Sequence, residues 1–140
     1  MNFSITDHQV GEAHLLALGG ELDLYATPAV RQHLNALIKS GKGRLLVDLR
    51  DVSFIDSTAV GLLVGAARRA RRAKGSLDLI CDNPRILGIL DFIGVEHIFI
   101  VYHSRADAGL APAASPDEPP SSAAERLHQL GLGPVRLGPG

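Results

Sequence analysis

Apolar residues along the chain fall into short blocks of two kinds, and the two kinds alternate. Blocks in which apolar residues run together or alternate with polar ones are typical of strands when turn-forming residues bound them. The block RLLVDLR at residues 44–50 is mostly aliphatic, which is typical of a strand buried on both faces. Blocks of this kind predict strands over residues 3–6, 13–20, 44–50, 76–82 and 97–102.

The blocks between these strands carry apolar residues three and four positions apart, which is the spacing of one helix face. In the first of them Thr27 is the predicted N-cap, and Pro28 takes the first helical position. Asn83 and Pro84 have the same roles in the third, and a glycine ends each of the three main helices. These blocks predict helices over residues 27–41, 58–74 and 83–94, and a short helix from Ser104.

The order of these elements is ββαβαβαβ, with the short helix last. It predicts an α/β fold, a layered sandwich in which helices cover a mixed β-sheet that is parallel at its centre. In the second helix, Gly61 and Gly65 lie four residues apart, and we expect them to let the helix pack closely on the sheet.

The composition changes near Ala108. Six of the eight prolines lie in the last 32 residues, among many Ala, Ser and Gly residues. A segment of this composition buries too little apolar surface to offset the entropy lost on ordering it. We therefore predict one domain over residues 1–108 and a largely disordered tail over 109–140. Within the tail, residues 121–131 predict a short helix that is marginal on its own.

Net charge and cysteine content limit the binding partners and the cellular compartment that the sequence predicts. The 140 residues have a formal net charge of −1, so no overall field draws the chain to nucleic acid or to an acidic membrane. The basic run at 68–74 lacks interleaved aromatics and fits a solvated helix end better than a nucleic-acid patch. The only cysteine, Cys81, excludes an internal disulfide. With no signal-peptide pattern and no long apolar run, we expect a cytoplasmic protein that does not enter the membrane.

The most informative residues are Asp56, Ser57 and Thr58, between the third predicted strand and the second predicted helix. In open α/β sheets this edge is where ligands and partners bind. A helix N-terminus also offers free N–H groups and the positive end of the helix dipole. One interpretation is structural: Asp56 or Ser57 is simply the N-cap. The other is that a hydroxyl group is presented there to a partner, and these residues alone leave both open.

Catalytic interpretations of this junction find little support. Residues 55–59 lack the glycines of a G-x-S-x-G motif, and the chain has no P-loop or G-x-G-x-x-G motif. A hydrolytic serine needs a base, but no histidine pattern supplies one, and Cys81 is more typical of a core residue than of a ligand. We therefore expect no enzyme, no metal and no cofactor. The scattered histidines are His8, His14, His33, His97, His103 and His128.

Three stretches carry a resemblance: GGELDLYATPAV, LLVDLRDVSFIDSTAVGLLV and NPRILGILDFIGVEHIFIVY. Together they resemble the STAS-domain family, and more closely its bacterial anti-sigma factor antagonists, over nearly all of residues 1–108. The most specific motif is D-S-[ST]-G-[LV]-G-[LV]-L, which residues 56–63 match except at Ala59, where the family usually has glycine. The second motif, G-E-L-D, is matched by residues 20–23.

The resemblance implies a switch. In that family the serine directly after the aspartate is phosphorylated by a partner anti-sigma factor with serine kinase activity, and this position is Ser57. The unphosphorylated protein is then expected to bind the anti-sigma factor and free its sigma factor, and phosphorylation to release the complex. A serine phosphatase is a further implied partner. The alternative is a STAS-type ligand-sensing or scaffold domain in a signalling complex.

Five residues form the predicted site. Ser57 is the expected phosphorylation site, and Thr58 is either a secondary one or a plain first-turn residue. Asp23 belongs to the implied partner surface, or is a solvated loop aspartate. For Asp56 three roles stay open: capping the helix, orienting Ser57, and contacting the metal–nucleotide region of the kinase. Ala59 is an expected partner contact, at which the extra methyl group alters docking or kinase preference.

Overall fold

The structure of the protein is a computed structural model that describes residues 2–41, 43–95 and 97–110. Its strands and helices follow one another in the predicted order. They are β1 (Phe3–Val10), β2 (Ala13–Leu22), α1 (Thr27–Lys39), β3 (Arg44–Ile55), α2 (Ser57–Arg72), β4 (Ser76–Ile80), α3 (Pro84–Ile93) and β5 (Val101–Tyr102).

The five strands form one mixed sheet in the order β1-β2-β3-β4-β5. β1 pairs antiparallel with β2, and all later pairs are parallel. Each helix follows a parallel strand and runs back over the sheet, so the three helices begin where β2, β3 and β4 end. We call this side of the sheet the carboxyl edge, and the side where these strands begin the amino edge. The predicted α/β fold with a parallel centre is confirmed.

The helices and the larger core lie on one face of the sheet. Along β3, Leu45, Val47 and Leu49 join the core under the helices, whereas Leu46 belongs to a second cluster on the opposite face. This alternation follows from the two-residue period of a strand. The central strand is therefore buried on both faces, as its aliphatic sequence predicted.

The last described residues cover part of the opposite face. Ala108 and Leu110 pack there with Leu15 and Leu46, and Arg44 Nη2 donates to the carbonyl of Ala108 at 2.8 Å. Packing thus extends to Leu110, two residues past the predicted boundary. The rest of the predicted tail, with the short helix over 121–131, lies outside the described residues.

The predicted N-cap of α1 is wrong. The cap position belongs to Ala26, which forms no side-chain cap bond, and the Thr27 hydroxyl donates instead to the Leu24 carbonyl at 3.0 Å. The reason is a turn ahead of the helix, in which the carbonyl of Asp23 accepts from the amides of Ala26 and Thr27. Because this turn leads directly into the helix, the cap position falls on Ala26 and Thr27 is already the first helical residue.

The end of the domain is less regular than predicted. The strand expected over 97–102 is reduced to Val101–Tyr102, because the Ile98 amide donates to Val95 in a turn and the Ile100 amide donates to the Asp78 carboxylate. The helix expected from Ser104 is absent from the described residues, which form bends and turns at 103–109.

Candidate functional site

Asp56 caps α2. Its backbone is extended, and its Oδ1 accepts a hydrogen bond from the Ala59 amide at 2.9 Å. The Asp56 carbonyl accepts the first helical bond, from Val60, at 3.1 Å. A carboxylate in this position satisfies an amide that the helix itself leaves unpaired, and it is also favoured by the helix dipole. Of the three roles left open for Asp56, capping therefore has direct geometric support.

We expect Asp56→Ala to lower the free energy of unfolding by about 1 kcal/mol, because the Ala59 amide loses its acceptor. Asp56→Asn keeps a side-chain acceptor and should retain most of the stability. Urea denaturation of both variants measures the difference, and the m-value should not change. Equal losses in the two variants would contradict capping as the main structural role of Asp56.

Ser57 and Thr58 are exposed in the first turn of α2. Neither hydroxyl group hydrogen-bonds to another described residue, whereas the neighbouring Asp56 and Ala59 are tied into the cap. A hydroxyl that the fold leaves free at a helix N-terminus is available to an outside group. The structure therefore satisfies the steric requirement for modification of either residue, and accessibility does not distinguish Ser57 from Thr58.

Asp23 lies beside this turn at the carboxyl edge. β2 and β3 end together, with Leu22 paired to Ile55, and the Asp56 amide donates to the Leu22 carbonyl at 3.2 Å. Asp23 follows directly. It is half-buried, and its Oδ1 accepts from the amides of Tyr25 and Ala26 at 3.0 and 3.1 Å. The two aspartates thus hold adjacent turns, and the Asp23 carboxylate has a structural role in its loop.

The glycine of the G-E-L-D motif makes this arrangement possible. Gly20 has a φ angle of 82°, and a Cβ atom there would collide with the backbone carbonyl of Asn2. The register between β2 and β3 shifts at the same place, between Gly20 and Glu21. A residue with a Cβ atom would be strained by the positive φ angle and would also collide with Asn2. Gly20 therefore sets the register that brings Asp23 next to Asp56.

Ala59 is buried, with only 2% of its surface exposed, and it packs in the core under the helices. Its side chain does not form part of the surface around Ser57. Its burial therefore gives no support to the predicted direct contact with a partner. Any effect of Ala59 on docking has to act through the position of its exposed neighbours, Ser57 and Thr58.

The prediction for Gly61 and Gly65 is wrong. Gly61 is exposed, and a Cβ atom placed on it would have no neighbour within 4 Å. At Gly65 the nearest atom would belong to the Arg69 side chain, on the same helix and not on the sheet. Neither glycine is needed for helix–sheet packing. Gly61 instead lies one helical turn after Ser57, where it leaves the surface of α2 flat.

Three exposed apolar side chains at the carboxyl edge were missed by the sequence analysis. Leu24 and Tyr25, in the turn after β2, are 60% and 70% exposed, and Phe54, near the end of β3, is 47% exposed. We call Leu24, Tyr25, Phe54, Ser57 and Thr58 the Ser57 surface. Leu24 and Tyr25 lie in a turn and Phe54 lies on a strand, so no single sequence pattern marks the three as exposed. Exposed apolar residues grouped in this way are typical of protein-interaction sites.

Carboxylates surround this surface. Asp48 Oδ1 and Oδ2 accept from the Arg50 guanidinium at 3.0 and 2.8 Å, and this hydrogen bonding raises the pKa of Arg50. The charges of Asp82 and Asp51 shift the same pKa upwards, and Asp48 is the carboxylate paired with Arg50. A phosphate added at Ser57 would therefore stand beside the carboxylates of Asp56 and Asp23. The carboxylates at or near it are Glu21, Asp23, Asp51, Asp56 and Asp82.

The described residues show little sign of other chemistry. They contain no group of three or more His, Cys, Asp or Glu side chains that could hold a metal ion. Burial raises the pKa of the Cys81 thiol, which packs in the core under the helices. Within the same residues, no helix combines the length and the apolar character needed to cross a bilayer.

Comparison with known families identifies the fold. The family model described as "Mlab, STAS domain" matches residues 5–102. The chain belongs to the STAS domain family. The sequence resemblance is thereby confirmed, and the match covers every strand and helix of the structure except the first residues of β1.

Two proteins similar to this STAS domain are named as anti-sigma factor antagonists. An anti-sigma-B factor antagonist of Bacillus subtilis is 32% identical over 98 residues, which span 70% of this chain and 89% of the relative. An anti-sigma factor antagonist from Mycobacterium paratuberculosis superposes with a TM-score of 0.71 at 20% identity, covering 76% of this chain and 91% of the other.

A third relative has been solved in two chemical states. The anti-sigma factor antagonist SpoIIAA in its unphosphorylated form superposes on this STAS domain with a TM-score of 0.55 at 26% identity, covering 64% of this chain and 83% of that chain. The phosphorylated form of SpoIIAA, from Bacillus, superposes with a TM-score of 0.59 at 24% identity, covering 73% and 94%.

Proposed function

We propose that this protein is an anti-sigma factor antagonist whose unphosphorylated form binds an anti-sigma factor with serine kinase activity and frees its sigma factor. Phosphorylation of Ser57 by that kinase then releases the complex. The relative that is 32% identical bears the name of such an antagonist, and SpoIIAA has both a phosphorylated and an unphosphorylated form. A serine phosphatase resets the switch, and the cycle takes place in the cytoplasm without nucleic acid, membrane or cofactor.

The observation that carries the proposal is the free hydroxyl of Ser57. It is exposed at the first position of α2, and no described residue accepts from it or donates to it. A serine that acts as a nucleophile needs an adjacent base within hydrogen-bond reach. A serine that serves as a substrate needs only exposure, because the other protein supplies the base. Ser57 meets the second requirement, which supports the proposal that it is a substrate of another protein.

The charge at the carboxyl edge explains how phosphate acts. A phosphoserine carries about −1.5 to −2 charges at neutral pH. The N-terminus of α2 tolerates an anion, so the fold need not change. The partner, however, docks on the Ser57 surface, where the new charge adds to that of Asp56 and Asp23. Burying such a charge under a docked partner without a compensating cation is costly, so the complex is weakened.

Exposed apolar residues supply the binding energy of the unphosphorylated state. Tyr25 and Phe54 are large side chains of the kind that dominate interfaces when a partner buries them. They flank the turn that carries Ser57, so binding and modification use one surface. The switch is therefore local, and no movement of the sheet or helices is required.

Incubation with candidate anti-sigma kinases of the same genome and ATP tests the proposal. We expect mass spectrometry to find a single added phosphate on the wild type and on Thr58→Val, and none on Ser57→Ala. The Thr58 variant is the matched control, because its hydroxyl is equally exposed. Phosphate on Ser57→Ala at the wild-type level would rule out Ser57 as the acceptor. The alternative of a ligand-sensing or scaffold domain stays a prediction from the sequence.

A further inference from the structure

The positive charge of the domain is concentrated on α1 and α2. Neither helix contains an Asp or Glu residue, although the whole chain has a net charge of −1. Six Arg and Lys residues lie on the two helices, and Lys74 follows α2. All are exposed except Arg69, which is half-buried. We call these seven residues the basic face: Arg31, Lys39, Arg68, Arg69, Arg71, Arg72 and Lys74.

The two helices present this charge together. α1 and α2 run in the same direction and pack side by side, and Arg69 Nη2 donates to Asn35 Oδ1 across the groove between them at 2.9 Å. Arg71 donates to the backbone carbonyl of Ile98. Among the described residues, no member of the basic face forms an ion pair with a carboxylate. The helix dipole alone favours a cation in the last turn, but it does not account for seven.

The described chain ends at the edge of the sheet where α1 and α2 end, on the face opposite to the helices. Leu110 packs beside Ala13 and Leu46, and Arg44 at the start of β3 holds the carbonyl of Ala108. The start of β3 is in turn joined to the end of α2, because the Ser76 amide donates to the Gly43 carbonyl at 2.9 Å. The chain thus leaves Leu110 near the amino edge, where α1 and α2 also end.

The sequence that follows is acidic up to Glu125, directly before Arg126. Residues 111–125 contain Asp117, Glu118 and Glu125, and no Lys, Arg or His. Asp117 is seven residues beyond Leu110, and Glu125 is fifteen. At about 3.3 Å per extended residue these positions can reach roughly 23 and 50 Å from Leu110. The sheet and its helix layer, with a helix about 10 Å across, are thin enough for the segment to pass around the amino edge.

We propose that residues 111–125 dock on the basic face of their own chain. The carboxylates of this segment are opposite in charge to the basic face, and they are tethered at the edge where α1 and α2 end. A tether of this length gives an effective concentration on the order of millimolar, which favours the attached segment over a free partner of equal charge. The tail then covers the basic face of its own chain. An acidic partner can bind there only by displacing the tail. This inference does not depend on the role of Ser57.

A spin label near the acidic residues tests the contact in the full-length chain. The only native cysteine, Cys81, is buried, so a label attached to Ser115→Cys is specific. We expect the amide NMR signals of residues 68–74 to lose most of their intensity. The intensity should return at about 1 M salt, where the Debye length falls to about 3 Å. It should also return when Asp117→Asn, Glu118→Gln and Glu125→Gln are combined.

A matched control removes the same number of charges elsewhere. Glu21→Gln, Asp51→Asn and Asp82→Asn neutralise three exposed carboxylates at the carboxyl edge, and the broadening should persist. Absent broadening, or broadening unchanged in the neutralised tail, would overturn the proposal. Broadening that appears only after isotope-labelled and spin-labelled chains are mixed would also overturn it, because the occupant would then be a second copy. Loss of broadening in the control variant would also overturn it, because charges outside the tail would then control the contact.

Discussion

Replacing Ser57 with Glu is expected to weaken binding to the anti-sigma factor kinase at least about tenfold, which is about 1.4 kcal/mol. The new carboxylate stands at the centre of the Ser57 surface, next to Asp56 and near Asp23, and a bound partner would have to bury it. Ser57→Ala adds no charge and removes a hydroxyl that no described residue uses. We therefore expect Ser57→Ala to bind about as tightly as the wild type and to resist release by ATP.

The measurement is a titration of each variant against the kinase, by calorimetry or fluorescence anisotropy. Gln9→Glu is the matched control, because Gln9 is exposed on β1 at the amino edge and gains the same charge. All three variants should unfold at nearly the wild-type urea midpoint. If Ser57→Glu binds as well as Gln9→Glu, charge at Ser57 does not control the complex, and the proposed switch is wrong.

The fold was predictable because its signals are local. The aliphatic run of β3 and the caps at Asp56 and Asn83 can be recognised from adjacent residues alone. The structure has both caps. Thr27 was misassigned because the turn at Asp23, four residues earlier, already fixes the entry to α1. The last strand was overestimated because its amides find the Asp78 side chain and a local turn instead of a ladder partner. The contact between Ile100 and Asp78 joins residues 22 positions apart, so no local pattern encodes it.

The site was predictable in part for a different reason. Position within the fold placed Asp56 and Ser57 at the carboxyl edge, since any residue that follows β3 must lie there. What the sequence did not indicate is which neighbours remain uncovered. Leu24, Tyr25 and Phe54 read as ordinary apolar residues until the structure shows them exposed. Ala59 reads as a surface residue next to Ser57, yet helical geometry turns its side chain into the core.

Gly61 is the residue whose role changes most between sequence and structure. A glycine inside a helix costs about 0.5–1 kcal/mol relative to alanine. The fold gains nothing in return here, since a Cβ atom at Gly61 would meet open space. Under the proposed function, the missing side chain lets the partner approach Ser57 along the surface of α2. We infer that docking, and not packing, explains the glycine.

Gly61→Gln should therefore separate stability from function. We expect it to unfold at a slightly higher urea concentration than the wild type, because helix propensity improves. Binding to the kinase and phosphorylation of Ser57 should both fall at least about tenfold, or about 1.4 kcal/mol, because the new side chain covers the approach. Gly88→Gln is the matched control, since Gly88 is equally exposed on α3, again with open space around it. Gly88→Gln should gain stability and keep both kinase binding and Ser57 phosphorylation. Phosphorylation of Gly61→Gln at the wild-type level would show that the partner reaches Ser57 by another path.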